Sequence, residues 1–367
     1  MNGYEPRRPH LVAVGLLSLW IVILALPMLG GQWLAAPWGD QYAAGFAFRS
    51  WGAEQWRALG HAPLWNPMLF GGLPFIGAGH GDIFYPTSFL RLVLPVATVI
   101  NLGFVLHYIA AGMLTYAWLR KLGVSWTGAV VGGLAYQLSG ILASLASPGH
   151  DGKLFASTAL PLAFLALVIA LRDRRWVGYP LLALSVGLAI LGHFQLAYYF
   201  CVAIGIFALY LAFWDRPRTE SLAPVAGRLG MALVAVVVGF GLTAIQILPF
   251  FAYIPYSPRA QAYELAGITA YQSATLYAIP WNHVPEFFLA NFVGSVHTYW
   301  GSNAGKLHSE YLGLPVIALA MLGAADRERR RLIWWLGGIG LLFLLVSMGA
   351  STPFYRLWYE LMPLMKK

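Results

Sequence analysis

The sequence predicts an all-α membrane protein, built as a polytopic bundle of transmembrane helices. Of its 367 residues, 59% are hydrophobic and only 10% are charged, and the mean hydropathy is +0.66. A soluble domain carries roughly 25% charged residues, so most of this chain's surface faces something other than water. The apolar residues also occur in runs close to the roughly 20 residues that a helix needs to cross the hydrocarbon core.

About nine segments are predicted to span the membrane. The criteria are the length of each apolar run and the basic residues at its flanks. The first run is longer than the roughly 7–15 residues of a signal-peptide core, so an uncleaved span is favoured over a cleaved leader. The segments are 11–29, 96–118, 126–146, 154–171, 177–192, 195–214, 229–253, 311–325 and 332–349.

Basic clusters give the predicted orientation of these spans. Lys and Arg concentrate in cytoplasmic loops, which places the N-terminus in the cytoplasm and the C-terminus on the extracytoplasmic side of the membrane. The same rule accounts for the net charge of +9 without a nucleic-acid partner. The clusters are Arg7 with Arg8, Arg120 with Lys121, Arg172 with Arg174 and Arg175, Arg216 with Arg218, and Arg327 with Arg329, Arg330 and Arg331.

Two long segments, 30–95 and 253–310, are predicted on the extracytoplasmic side of a single transmembrane domain, 1–367. Both are rich in Trp, Tyr, Pro and Gly, which favours short interfacial helices and turns along the membrane surface. Segments of this length without regular structure are usually functional or disordered, and these are too aromatic to be disordered. Seven of the nine histidines fall on this side, so any chemistry is expected there.

Asp40 and the turn at 148–153 are the first candidate site residues. A carboxylate at the membrane face can act as a general base or hold a divalent cation, although Asp is equally a favoured helix cap. In the turn, His150, Asp151 and Lys153 lie at the level of the lipid phosphates. Lys153 can contact a phosphate as a point charge, and Asp151 can join Asp40 at a cation. A solvated turn is the alternative interpretation.

Other polar residues of the outer side are weaker candidates. Asp82 follows an aromatic segment, 63–75, whose prolines and glycines fix a turn. His193 and Gln195 lie at the tip between two short spans, where an ionisable group usually faces a cavity. A neutral histidine that is hydrogen-bonded inside the bundle is an equal alternative there. Arg259 and Glu310 belong to the second long segment and suit the recognition of a sugar or a phosphate.

Several function classes are excluded by missing motifs. The sequence contains no P-loop, dinucleotide fingerprint, nucleophile elbow or His-Glu-x-x-His metal signature. This absence argues against ATP-driven transport by this chain. Cys201 is the only cysteine, so neither an intrachain disulfide nor a thiolate metal site is expected.

The order of several motifs along the chain resembles the YfhO-type family of bacterial membrane proteins. That family is similar to the GT-C glycosyltransferases, which take a sugar from a polyprenyl-phosphate carrier at the outer membrane face. Its members usually continue beyond the position of Lys367, so the resemblance implies a fragment or a minimal version. The motifs are Asp40 after the first span and the segments 63–75, 149–153, 192–195, 310–313 and 355–367.

The resemblance implies a GT-C-like bundle that transfers a sugar to a cell-envelope acceptor, which is an unknown glycan, lipid or protein. Asp40 and Asp151 are the implied catalytic acids, and they are the expected ligands of a Mg²⁺ or Mn²⁺ ion. Two other functions stay open, a transporter or flippase for a lipid-linked saccharide and a non-catalytic membrane assembly protein. The expected substrate-binding residues are Asp82, His150, Lys153, His193, Gln195, Arg259 and Glu310.

Overall fold

The structure is a computed structural model that describes residues 4–33, 36–69, 71–79, 82–217, 219–257, 261, 265–303 and 306–363. The described chain is mostly helical, and six of its helices are long and apolar enough to cross a membrane. The prediction of an all-α, multi-pass membrane protein is therefore confirmed. The chain forms two compact units, Met1–Ala252 and Tyr253–Lys367.

The helices of the first unit are α1 (Pro9–Leu29), α2 (Phe46–Leu59), α3 (Val96–Lys121), α4 (Trp126–Gln137), α5 (Gly140–Ala143), α6 (Asp151–Leu167), α7 (Gly178–Gly192), α8 (Phe194–Phe213), α9 (Leu222–Leu242) and α10 (Ala244–Tyr253). They include five of the six long apolar helices, α1, α3, α6, α8 and α9. A π-helical turn, Val168–Arg172, extends α6, and a second one, Gln41–Gly45, precedes α2.

Six of the predicted spans coincide with long helices, and the other three fall on shorter ones. The segment 126–146 is divided into α4 and α5, because Ser139 starts a new helix by accepting a hydrogen bond from the Leu142 N–H at 3.4 Å. The segments 177–192 and 311–325 also form shorter apolar helices. The number of crossings therefore stays a prediction. Helix α9 begins earlier than expected, since Arg228 lies inside it and pairs with Glu220 at 2.9 Å.

Helix α6 lies at the centre of the first unit and packs against α3, α7 and α8. Small residues allow α6 and α7 to approach closely. A Cβ atom on Gly152 would lie 2.5 Å from the Gly192 carbonyl oxygen, and one on Gly178 would lie 2.4 Å from the Ala170 nitrogen. This close packing brings the start of α6 next to the end of α7, where His193 follows.

The described part of the segment 30–95 forms short helices and a hairpin. A short antiparallel hairpin, β1 (Trp65–Asn66) and β2 (Leu73–Pro74), lies within 63–75, and Gly71 and Gly72 make its turn with φ of 76° and 119°. The ring of Phe75 stacks on Phe48 of α2 with centroids 4.5 Å apart. A 3₁₀ helix, Pro86–Leu92, then leads into α3.

Ion pairs join the basic clusters of the first unit at one end of its bundle. This end is called the basic end, and it lies opposite to the start of α6, where Asp151 is located. The pairs connect the clusters at 120–121 and 172–175 and also include Arg228. That this end is cytoplasmic stays a prediction. The pairs are Arg120–Glu5 (2.7 Å), Lys121–Asp173, Arg172–Asp215 (3.7 Å), Arg174–Glu220 (3.0 Å) and Arg228–Glu220 (2.9 Å).

Reporter fusions test which face is cytoplasmic. We expect fusions after Lys153 and after Trp300 to report the outside, and fusions after Arg175 and after Arg331 to report the cytoplasm, because basic clusters stay inside. Alkaline phosphatase and a fluorescent protein, fused at the same four positions, give opposite signals and control for expression. A cytoplasmic signal at Lys153 would invert the assigned orientation.

The second unit contains α11 (Ala270–Thr275), α12 (Leu314–Ala324), α13 (Arg330–Ser347) and α14 (Phe354–Leu361). A buried charge cluster holds the segment before α12. The Lys306 Nζ atom lies 3.3 Å from Glu286 Oε1 and also donates to Glu310. The second oxygen of Glu286 accepts the Val293 N–H at 3.1 Å. In the structure Glu310 is therefore a partner of Lys306.

Candidate functional site

Backbone hydrogen bonds fasten the residues around Asp40 to the turn that precedes α6. The Ala36 N–H donates to the Ser147 carbonyl, and the Asp40 N–H donates to the Pro148 carbonyl, each at 2.8 Å. The Gln41 side-chain amide donates to the Gly149 carbonyl, also at 2.8 Å. Gly149 has φ of +79°, and a Cβ atom there would meet Gln41 at 2.5 Å. The fit requires glycine and brings Asp40 beside His150.

Asp40 and His150 form a hydrogen-bonded pair. The His150 Nε2 atom lies 2.9 Å from Asp40 Oδ2, and the Asp40 side chain is 71% exposed. Burial, together with the positive charge of Lys153, lowers the pKa of His150 although Asp40 opposes this shift. A neutral His150 therefore donates its Nε2–H to the carboxylate.

The capping interpretation of Asp40 is not what the structure has. Asp40 directly precedes the π-helical turn Gln41–Gly45, yet its side chain makes no capping hydrogen bond. Its carboxylate instead contacts His150, a residue far away in sequence. The exposed carboxylate is accessible to a ligand from outside the bundle.

His193 and Lys153 lie in the same region as His150. Burial, and then the neighbouring Lys153 and His150, lower the pKa of His193 to about 4. Gly192, next to His193 in sequence, packs against Gly152 of α6. The Nδ1 atom of neutral His193 accepts the Leu196 N–H at 3.3 Å and caps α8. The ring proton is then on Nε2, which is a donor. Lys153 lies in the first turn of α6 and is half-buried. The alternative interpretation of this segment was a solvated turn.

A buried network of four charges lies behind this surface. Arg49 of α2 donates from Nε to Asp82 at 2.9 Å, and one of its terminal nitrogens lies 2.8 Å from Asp151. Asp82 also pairs with Arg91 at 2.6 Å and accepts from the Ser88 hydroxyl at 2.6 Å. All four charged side chains are buried. Two arginines thus compensate two carboxylates.

The network keeps Asp82 and Arg49, which lie outside the membrane-spanning helices, in their charged forms. Burial alone would raise the pKa of Asp82, but the charges of Arg91 and Arg49 hold it well below its usual range. Burial alone would lower the pKa of Arg49, and the two carboxylates raise it instead. Asp82 therefore acts as a permanent anion that holds Arg49 against Asp151.

The divalent cation expected at Asp40 and Asp151 does not fit this arrangement. Asp151 is engaged by Arg49 and accepts the Gly152 N–H at 2.9 Å. Among the residues that the structure describes, no group of three or more His, Cys, Asp or Glu side chains is placed to hold a metal ion. Hard divalent cations need several oxygen ligands.

The remaining predicted site residues are Gln195, Glu310 and Arg259. Gln195 is exposed in the first turn of α8, and Glu310 belongs to the second unit. Arg259 lies outside the residues that the structure describes. Arg49 and Arg91 were not predicted as site residues. Their signal was available, because arginines in a segment predicted to lie outside run against the positive-inside rule and a buried arginine needs a carboxylate partner.

No protein-family model, curated protein or solved structure matches the chain. What the fold and the site define is a class, a multi-pass helical membrane protein with a polar site at one end of its bundle. The resemblance to YfhO-type proteins stays a prediction.

Proposed function

We propose that the protein is a glycosyltransferase of the bacterial cytoplasmic membrane with a GT-C-like fold. It transfers a sugar from a polyprenyl-phosphate carrier to a cell-envelope acceptor on the extracytoplasmic face. The observation that carries this proposal is the contact between Asp40 and His150 beside Lys153 and His193. Sugar transfer from a lipid phosphate needs a proton acceptor and phosphate-binding donors at one membrane surface, and this group supplies both.

The proposed reaction is a single displacement at the anomeric carbon. A hydroxyl oxygen of the acceptor forms the new bond to this carbon, while the bond from the carbon to the carrier phosphate breaks with inversion. Asp40 accepts the proton that the acceptor loses. His150 donates its Nε2–H to the carboxylate and thereby orients it. The exposure of Asp40 leaves room for the acceptor to approach.

The charge that develops in this reaction is on the leaving phosphate. The carrier departs as polyprenyl phosphate, which has one more negative charge than the donor. Donors that are already oriented towards such a charge lower the barrier. Lys153 supplies an ammonium group and His193 supplies an Nε2–H, and both are held at helix ends. Arg49 acts as a positioning residue, since it fixes Asp151 one residue away from His150.

The transporter alternative requires polar side chains that line a path to the membrane midplane. Polar side chains do occur inside the spans, and several of them have hydrogen-bond partners within the protein. His107 contacts the Tyr85 hydroxyl at 2.9 Å and the Gly103 carbonyl at 2.7 Å. The Thr158 hydroxyl donates to the Leu154 carbonyl at 2.9 Å, and the Gln137 amide to the Leu17 carbonyl at 3.0 Å. These contacts favour structural roles over a path.

The proposed role of Lys153 predicts weaker binding of the carrier when its charge is removed. We expect Lys153→Met to weaken the retention of undecaprenyl phosphate by about 10- to 100-fold, because a hydrogen bond to a charged group contributes roughly 1.5–3 kcal/mol. Methionine keeps the aliphatic part of the side chain, so packing changes little. Native mass spectrometry of the purified protein, titrated with the lipid, measures this retention.

Lys153→Arg is the matched control for this experiment. It preserves the positive charge and should retain the lipid within a few-fold of the wild type. If Lys153→Met retains undecaprenyl phosphate as well as the wild type, the phosphate-binding role of Lys153 is wrong. The thermal unfolding temperature of each variant in detergent shows whether a loss of binding reflects a loss of folding.

A further inference from the structure

A polar cleft lies at the basic end of the first unit, opposite to the proposed transfer site. It has a volume of about 340 Å³ and lies between α1 and the last turns of α3. Ligand sites usually occupy roughly 300–1,000 Å³, so the cleft has the size of a small polar group such as a lipid headgroup. Its lining consists of His10, Tyr116, Ala117, Arg120 and Lys121.

The cleft presents several hydrogen-bond donors. His10 and the Tyr116 hydroxyl lie 3.1 Å apart. Arg120 contacts Glu5 at 2.7 Å and the Val124 carbonyl at 3.1 Å, and Lys121 contacts Asp173. A guanidinium has five N–H donors and an ammonium has three. The contacts described for these two side chains therefore use only part of their donor capacity.

The surroundings of the cleft are positively charged. The carboxylates of the basic end, Glu5, Asp173, Asp215 and Glu220, are each paired with a basic residue. Basic residues outnumber them, and an excess of positive charge favours an anion. The basic residues described at this end are Arg7, Arg8, Arg120, Lys121, Arg172, Arg174, Arg175, Arg216 and Arg228.

An apolar surface continues from the cleft along α1. Val14 lies one turn after His10 and therefore on the same face of the helix, and it is 39% exposed. Leu11 beside it is 63% exposed. Contact with such an apolar surface does not stabilise a bound phosphate ion, whereas it stabilises the acyl chains of a bound lipid. Basic pockets between transmembrane helices are known to bind anionic headgroups.

We propose that this cleft binds the phosphate of an anionic phospholipid, with the acyl chains lying along α1. Arg120 and Lys121 contact the phosphate oxygens, and His10 or Tyr116 adds a further hydrogen bond. The bound lipid links α1 to α3 at the basic end. The site shares no residue with the proposed transferase site.

The test is lipid retention measured by native mass spectrometry after equilibration with phosphatidylglycerol or phosphatidylcholine. We expect the wild type to retain phosphatidylglycerol in preference to phosphatidylcholine. Arg120→Gln with Lys121→Gln should reduce this retention by at least about tenfold, given the strength of charge-assisted hydrogen bonds. The matched control, Arg174→Gln with Arg175→Gln, removes the same charge from the same end and should change the retention less than threefold or so.

Three outcomes would overturn the proposal. An equal loss in both double variants would mean that the lipid responds to the general field of the basic end. Displacement of phosphatidylglycerol by excess inorganic phosphate alone would identify a free-anion site. If the double variant fails to fold, the single variant Lys121→Gln is used, and thermal unfolding checks that it is folded. Unchanged retention of phosphatidylglycerol in this variant would exclude the cleft as the lipid site. None of these results bears on the proposed role of Asp40 in sugar transfer.

Discussion

Asp40→Asn is expected to abolish sugar transfer while leaving the protein folded. The substitution keeps the size of the side chain and lets the amide oxygen accept the His150 Nε2–H, so the local contact survives. It removes the ability to accept a proton from the acceptor. We expect a loss of roughly 10²- to 10⁴-fold in the transfer rate, the contribution typical of a general base. Because the Asp40 side chain is exposed and makes no capping hydrogen bond, we expect the free energy of unfolding to change by no more than about 0.5 kcal/mol.

Mass spectrometry of cell-envelope glycans measures the effect in cells that carry the wild type, the Asp40→Asn variant or a deletion. The variant should show the glycan profile of the deletion. Glu54→Gln is the matched control, because Glu54 is another exposed acid of the outer segment and should behave as the wild type. Transfer by Asp40→Asn within a few-fold of the wild type would remove Asp40 from the mechanism and would favour the transporter.

The sequence predicted the long helices because length and hydropathy are local properties of a chain. Helices α1, α3, α6 and α8 lie where their apolar runs are. The predicted start of this span, residue 229, was wrong because the prediction began the span directly after the basic residue Arg228, whereas α9 begins at Leu222. Arg228 is instead inside the helix and reaches back to Glu220, as long basic side chains near a membrane surface do.

The candidate site was predictable only in part. The clustering of Asp40 with His150 followed from placing both on the outer side, next to the spans. The pairing of Asp151 with Arg49 did not follow, since the two residues are 102 positions apart and no local pattern links them. The expectation of a metal between Asp40 and Asp151 treated both acids as accessible. Burial of Asp151 against α2 is a tertiary contact, and it changes the chemistry available to this carboxylate.

Arg49→Met is expected to give the largest loss of stability of any single substitution discussed. Arg49 is shared by Asp82 and Asp151. Its removal leaves Asp82 with Arg91 and leaves Asp151 as a buried carboxylate that has lost its arginine. Breaking a buried pair in this way costs about 3–5 kcal/mol in the free energy of unfolding.

A double variant distinguishes the loss of charge balance from a loss of packing. If the unpaired carboxylate is the cause, Arg49→Met with Asp151→Asn should be more stable than Arg49→Met alone, by about 0.5–3 kcal/mol for residues in direct contact. Arg172→Gln is the control, since Arg172 pairs with Asp215 at 3.7 Å on the surface, where such pairs contribute about 0–1 kcal/mol. Thermal and denaturant unfolding in detergent measure all three variants. If Asp151→Asn adds a further loss to Arg49→Met, the four charges do not act as a balanced network, and Arg49 stabilises the fold by packing alone.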